Sequence, residues 1–242
     1  RDWLLRSEES GKLVSTVFLL PITAISTAPN RTMAPLTVGI AGFTGKFARC
    51  LISHVLRYPD ITLRGYCRDA SKIAPSLSSS PRVQIVQGGA LDSAAVKSFV
   101  KGCDVVVCCY LGDNGLMIDG QKLLIDACDE NNVARYVASD WALDYTKLEF
   151  GQLFVKDPMK HVKAYVETKK RVKGVHVLIG GFMEPIFSPF FNILDVETKT
   201  FRFRGTGDEV WEGSTYDNAA EYTAAIIANP DAVGIQRGKS AS

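Results

Sequence analysis

Gly42-Phe43-Thr44-Gly45-Lys46-Phe47-Ala48 stands between a short apolar run, Leu36–Ala41, and a segment of helical periodicity, Phe47–Leu56. In the latter, Phe47, Leu51, Ile52, Val55 and Leu56 fall on one face. A strand, a glycine turn and an amphipathic helix are therefore expected in direct succession. Gly42 permits the tight turn, Gly45 lets backbone approach a bound pyrophosphate, and small Ala48 allows close helix–strand packing. The new helix would offer unpaired amides and a partial positive charge to phosphates. Gly39 supplies a second register, Gly39-x-x-Gly42-x-x-Gly45, which would cut the strand short. Glycine spacing alone is weak evidence; its place after a strand and before a helix is what gives it weight.

Outward from this turn the chain alternates strand-like and helix-like segments. Ile61–Cys67 and Val83–Val86 read as strands, Ala94–Val100 as a helix ending at Gly102, and Asp104–Cys109 as a fourth strand, apolar enough to be buried on both faces. A helix over Gly115–Asn131, a strand at Val133–Ala138, a helix over Pro158–Lys173 and a strand at Val175–Ile179 follow, with a last strand at Val233–Arg237. Ala74–Pro81 reads as a loop. Strands separated by helices imply right-handed crossovers and an α/β fold: a doubly wound, mostly parallel Rossmann sheet.

The bulk composition narrows the classes. A chain of 242 residues with a formal charge of +2 can bury a large α/β core, and its charge gives no general attraction to nucleic acid or an anionic membrane. Six cysteines include no C-x-x-C pair, and neighbours Cys108 and Cys109 point to opposite faces of a strand. With three scattered histidines, no metal site is expected; the thiols read as reduced core residues of a cytoplasmic protein. Leu13–Ile25 is apolar but interrupted by Pro21 and short for a membrane span. It resembles a secretory h-region with Ser26-Thr27-Ala28 as a cleavage site, whereas Asp2, Glu8, Glu9 and Pro29 argue against one. Residues 1–32 are best read as an extension outside the domain, Met33 as a natural start, and 33–242 as one NAD(P)-binding domain.

The end of the second strand addresses the choice of dinucleotide. Arg68 stands 26 residues after Gly42, where an NAD-binding protein usually has a carboxylate for the ribose 2′-hydroxyl. A guanidinium can pair two oxygens of a 2′-phosphate, which favours NADP, although Asp69 follows directly. Lys46 and Arg49 add positive charge nearby. Cofactor contacts are expected from Gly42, Phe43, Thr44, Gly45, Lys46, Phe47 and Arg68. At the carboxyl edge of the fourth and fifth strands, Tyr110, Leu111 and Ser139 join them.

Together Gly42–Ala48, Arg68, Gly89-Ala90-Leu91-Asp92, Gly102-Cys103-Asp104-Val105-Val106, Gly180-Gly181-Phe182-Met183-Glu184 and Tyr216–Thr223 resemble the NmrA-like and isoflavone-reductase-like family of atypical short-chain dehydrogenases. The resemblance covers about residues 36–238. It implies an NADPH-binding Rossmann domain and a smaller C-terminal substrate region from about residue 181, incomplete here because family members continue well past Val233–Arg237. It also implies an active lysine at Lys163, eleven residues before Gly174, with Met159 where the common tyrosine would stand. Tyr165 and Lys169 spell the short-chain Tyr-x-x-x-Lys pair, but Lys169 lies only five residues before Gly174. Ser139 resembles the serine of the family's Ser-Glu-Phe segment, here Ser139-Asp140-Trp141, and either contacts the nicotinamide or caps its turn. His54, His161 and His176 read as helix, surface and strand-edge residues without chemistry.

The function these features imply is NADPH-dependent reduction of a small, aromatic molecule, with Phe182, Met183, Phe187, Phe190 and Phe191 as an apolar lining or, equally, as core. The alternative is a non-catalytic dinucleotide sensor that binds a protein partner.

Overall fold

A computed structural model of the chain describes residues 34–202, 205–206 and 208–238; the extension expected at 1–32 lies outside them. Seven strands form one parallel sheet: β1 (Leu36–Ala41), β2 (Ile61–Cys67), β3 (Val83–Gln87), β4 (Val105–Cys108), β5 (Arg135–Val137), β6 (Lys173–Leu178) and β7 (Gly234–Arg237). Their order is β7-β6-β5-β4-β1-β2-β3. The direction of winding reverses between β1 and β4, so a crevice opens beyond their carboxyl ends.

Both faces of the sheet are covered, which is why β4, at its centre, is apolar at every position. Val38, Ile40, Val105 and Val107 pack under α1 (Lys46–Val55) and α5 (Tyr216–Ala228). Ala41, Val106 and Cys108 pack under α2 (Ser93–Val100), α3 (Gln121–Glu130) and α4 (Asp157–Glu167). The apolar face expected of the first helix is the buried one: Leu51, Ile52 and Val55 are shielded, each contributing about 1.5–3 kcal/mol. Asp92 caps α2 through the Ala95 amide at 3.0 Å, and Thr215 caps α5 through the Asn218 amide at 3.1 Å.

Buried Arg135 fixes α5 to the sheet. Its guanidinium donates to the carbonyls of Ile226 (3.1 Å), Ile227 (2.8 Å) and Asn229 (2.7 Å), the last turn of α5. These carbonyls close the helix, those of Ile226 and Asn229 each accepting one further amide (Asn229 and Ala232, both at 3.2 Å), and a cation there complements the helix dipole.

Three elements differ from expectation. α4 ends at Glu167, not Lys173, because the Asp129 carboxylate captures the amides of Arg171 (2.7 Å) and Val172 (3.1 Å) and draws the chain into β6. The helix expected from Gly115 opens as a wide π turn, Gly115–Gly120, before becoming α-helical. The loop at Ala74–Pro81 holds one helical turn, Pro75–Ser78, whose first position suits a residue lacking an amide. All six cysteines are free. Among the described residues, no helix is long and apolar enough to cross a membrane, and no group of three His, Cys, Asp or Glu could hold a metal ion.

Candidate functional site

The glycine turn occupies the crevice. Gly42 has φ +80°, and a Cβ there would stand 2.7 Å from the Cys109 carbonyl oxygen, so both conformation and space demand glycine. The Gly42 and Phe43 amides are spent on the Tyr66 carbonyl at 3.0 and 3.1 Å, which anchors the turn to β2. Gly45, the residue before α1, has no side chain to cap it, and the first turn carries no acid. Arg49 is the first residue whose amide reaches a helical carbonyl, that of Gly45 at 3.1 Å. The Lys46, Phe47 and Ala48 amides therefore lie beyond the start of the ladder, as a pyrophosphate requires. The arrangement fits a dinucleotide. The Phe43 ring is buried beneath β2, where a Cβ on Gly65 would come within 2.6 Å of it. Thr44 accepts from Arg49 Nη1 through its carbonyl at 3.3 Å.

At the other flank Arg68 is exposed just beyond β2. Asp69 belongs to the next turn and pairs with Lys72 Nζ at 3.7 Å. Its carboxylate accepts from the Ser71 amide (3.0 Å) and hydroxyl (2.6 Å), capping the turn Ala70–Lys72. Those bonds hold the Asp69 carboxyl below the usual range. The same turn brings Lys72 to a cleft of about 180 Å³ whose wall includes Phe43, Thr44, Arg49 and Leu77. Lys72 is the cation that sequence reasoning missed; the Asp69-Ala70-Ser71 turn signal was the clue available.

Ser139 joins the ends of two strands. Its hydroxyl donates to the Tyr110 carbonyl at 2.6 Å, and its amide donates to Gln121 Oε1 at 3.0 Å. Tyr110 is buried beside Gly42 and Gly120, its hydroxyl has no partner, and burial pushes its pKa up. Leu111 is exposed. Above the start of α1 four rings form a wall: Phe47 lies 4.3 Å from Trp141 and 5.3 Å from Phe182, and Phe182 lies 4.4 Å from Tyr216. Trp141 holds a φ of +37°, uncommon for a bulky residue, while its indole N–H donates to Thr223 Oγ1 at 2.9 Å. Of the aromatics expected as lining, Phe182 joins this wall, whereas Phe190 and Phe191 are exposed.

On α4, Lys163 is ion-paired with Glu167. Tyr165 donates to both Asp126 oxygens (2.8 and 2.9 Å), and Lys169 pairs with the same carboxylate at 2.6 Å, so the Tyr-x-x-x-Lys pair is engaged with α3. A second polar cluster lies beneath the carboxyl edge. Asp140 Oδ2 accepts from the Tyr145 hydroxyl at 2.9 Å and meets His176 Nδ1 at 2.7 Å, all three residues being buried. Asp140 Oδ1 is buried without a partner. Burial, then the Asp140 charge, drives the Tyr145 pKa far up. His176, expected at a strand edge without chemistry, is instead enclosed on the α4 side. The strand pattern carried the signal: a histidine between Val175 and Val177 in a doubly covered sheet needs a buried partner.

Comparison with known proteins agrees with this geometry. A family model described as NAD(P)H-binding matches residues 42–175. The oxidoreductase nsrR of Aspergillus novofumigatus (strain IBT 16806) is 35% identical over 77 residues, 31% of this chain and 29% of nsrR, so the match spans under a third of that relative. The NADPH-dependent quinone oxidoreductase QOR2 of Escherichia coli, complexed with NADPH, superposes with a TM-score of 0.68 at 18% identity, covering 84% of this chain and 69% of QOR2. Isoflavone reductase gives 0.65 at 16% identity, covering 83% and 68%. AtPrR2 with NADP+ and (+)pinoresinol gives 0.64 at 19% identity, covering 86% and 70%. At these identities the structural likeness establishes the fold.

Proposed function

This chain belongs to the NAD(P)H-binding family, and from that premise we propose that it is an NADPH-dependent reductase of a small aromatic molecule. The observation that carries the reading is the uncapped first turn of α1 behind Gly42, flanked by the Arg49 and Lys72 cleft and roofed by the aromatic wall. In this reading the Lys46, Phe47 and Ala48 amides bind the pyrophosphate. Arg68 and Lys72 bind the 2′-phosphate, which takes the Lys72 ammonium from Asp69, its partner at 3.7 Å, while the Ser71 amide and hydroxyl keep the Asp69 carboxylate in its own turn. When bound, NADPH supplies a hydride. The chain's own part is to hold the dinucleotide, to present a flat apolar surface to the acceptor, and to deliver a proton. Two lysines compete as the source of that proton, Lys163 by its family-like position and Lys156, the residue just before α4, by its place in the chain.

Calorimetric titration tests the cofactor claim. NADPH is expected to bind at least tenfold more tightly than NADH, and Lys72→Ala with Arg68→Ala to abolish that margin. Equal affinity for both coenzymes would remove the NADP assignment, and no binding of either would remove the whole reading. The second reading, a non-catalytic sensor, draws on buried Met159 at the place of the usual tyrosine. It predicts tight NADPH binding with no turnover of any aromatic acceptor.

A further inference from the structure

A parallel strand and its crossover helix run in opposite directions, so the helix begins at the carboxyl edge of the sheet, where the cofactor lies. α4 obeys this. Its first turn puts Met159 against Leu178, at the carboxyl end of β6, while its last turn puts Val166 where a Cβ on Gly174, near the amino end, would come within 2.6 Å. Lys156, immediately before α4, is therefore at the cofactor edge, and Lys163 is set back about 10 Å along the axis.

The lysines of this segment differ in their partners. Lys147 pairs with Asp144, Lys160 with Asp157, Lys163 with Glu167 and Lys169 with Asp126. Lys170 and Lys173 are exposed. Lys156 is half-buried and, among the described residues, has no carboxylate within ion-pair distance. It stands at a helix start, where a cation is disfavoured by the dipole. Burial draws its pKa below the ordinary lysine value, and the carboxylate that opposes this is Asp140. Asp140 in turn has one oxygen fixed by Tyr145 and His176 and the other buried and unpaired. Buried orphan acceptors of this kind are rare and call for a reason. Asp140 also lies between Ser139, which ties β5 to β4, and Trp141, 4.3 Å from Phe47 on the cofactor helix.

We propose that Lys156 is the proton donor of the reduction and that the charge of Asp140, clamped by Tyr145 and His176, favours its ammonium form from beyond ion-pair distance. The proposal rests on the reductase reading above. In the step it describes, a hydride from the nicotinamide C4 of NADPH adds to a carbonyl or quinone acceptor. The Lys156 ammonium N–H bond breaks as the acceptor oxygen takes the proton. NADP+ and the reduced acceptor leave, and neutral Lys156 regains a proton from solvent. The groups facing this lysine and its clamp are Asp140 itself, Tyr145 and His176, with Asp144 and Glu167 acting on Tyr145.

The test uses the intact chain with NADPH and 1,4-naphthoquinone. Lys156→Met is expected to lower kcat about 100-fold or more while leaving the NADPH Kd within about twofold, and Lys156→Arg not to restore it, because a guanidinium keeps its charge but does not release its proton. Activity should fall as pH rises through the lysine's pKa, and Asp140→Asn should move that limb to lower pH, because a favourable negative charge has gone. A readout independent of turnover accompanies it. After reductive methylation with 13C-formaldehyde, the Lys156 resonance should titrate below those of exposed lysines, and lower still in Asp140→Asn. Undiminished kcat in Lys156→Met, or a collapse confined to Lys163→Met, overturns the proposal. So does a Lys156 resonance that titrates with the exposed lysines. Wild-type protein that binds NADPH but reduces no acceptor overturns the reductase reading itself, and the proposal with it.

Discussion

Replacing Gly42 by alanine separates two effects that a second glycine allows to be measured one at a time. Gly102 has φ +76° and nothing within 4 Å of the place a Cβ would take, whereas Gly42 has φ +80° and the Cys109 carbonyl oxygen 2.7 Å away. Gly102→Ala therefore suffers only the left-handed backbone strain, about 1–2 kcal/mol. Gly42→Ala adds a collision with main chain, which cannot rotate aside as a side chain would, for a further cost of about 1–3 kcal/mol. At roughly 2–4 °C per kcal/mol for a domain of this size, the melting temperature should fall about 2–8 °C for Gly102→Ala and several degrees more for Gly42→Ala. The sharper difference is in binding. Displacing the turn shifts the amides ahead of α1, so NADPH affinity should drop tenfold or more in Gly42→Ala and stay unchanged in Gly102→Ala. Differential scanning fluorimetry and calorimetric titration on both variants give the two numbers. Equal melting temperatures, with NADPH still bound at the wild-type Kd by Gly42→Ala, would refute the argument that this turn is shaped for a phosphate.

Further outcomes follow from individual side chains. Arg135→Ala leaves three carbonyls at the end of α5 without their charged donor, and urea unfolding should register a loss of at least about 3 kcal/mol; a loss below about 1 kcal/mol would contradict the stapling role. Burial raises Cys103 to about 11 and Cys108 to about 12 from 9.0. The folded state therefore holds protons that the unfolded state releases above pH 9, and stability should decline from pH 9 upward through the folded values, by about 1.4 kcal/mol per pH unit for each thiol. Urea midpoints under reducing conditions at pH 8 and pH 10 check this, and a flat profile would show those thiols to be hydrated. NADPH binding should quench the fluorescence of Trp141, which packs on Phe47, and Trp141→Phe should remove most of the quench; an undiminished quench would place the nicotinamide elsewhere.

Periodicity made most of the scaffold legible. The unbroken apolar run of β4 announced burial on both faces, and the turn at Gly42 announced itself through its place between strand and helix. Long-range register was not legible. Asp140 and His176 are 36 residues apart and meet because β5 and β6 pair in parallel, a fact no local window contains. The end of α4 escapes the sequence for a similar reason, since lysines and an arginine at 169–173 are good helix formers and the carboxylate that pulls them out sits on α3. At the site, Arg68 could be singled out by its distance from the glycines, whereas Lys72 depended on a local turn whose direction only the folded chain reveals.

The pairing of α1 with α5 bears on how the molecule is made. Tyr216, which meets Phe182 in the aromatic wall, and Thr223, which holds the Trp141 indole, both come from the final helix, and Arg135 waits for that helix to receive its three hydrogen bonds. During synthesis the glycine turn and the first strands emerge early, yet the roof over them is delivered about 170 residues later. A ribosome-bound intermediate would therefore carry a phosphate cradle open to water and a guanidinium still seeking its acceptors. The aromatic wall and the hydrogen bonds of Arg135 are then completed in one event, when α5 docks on α1.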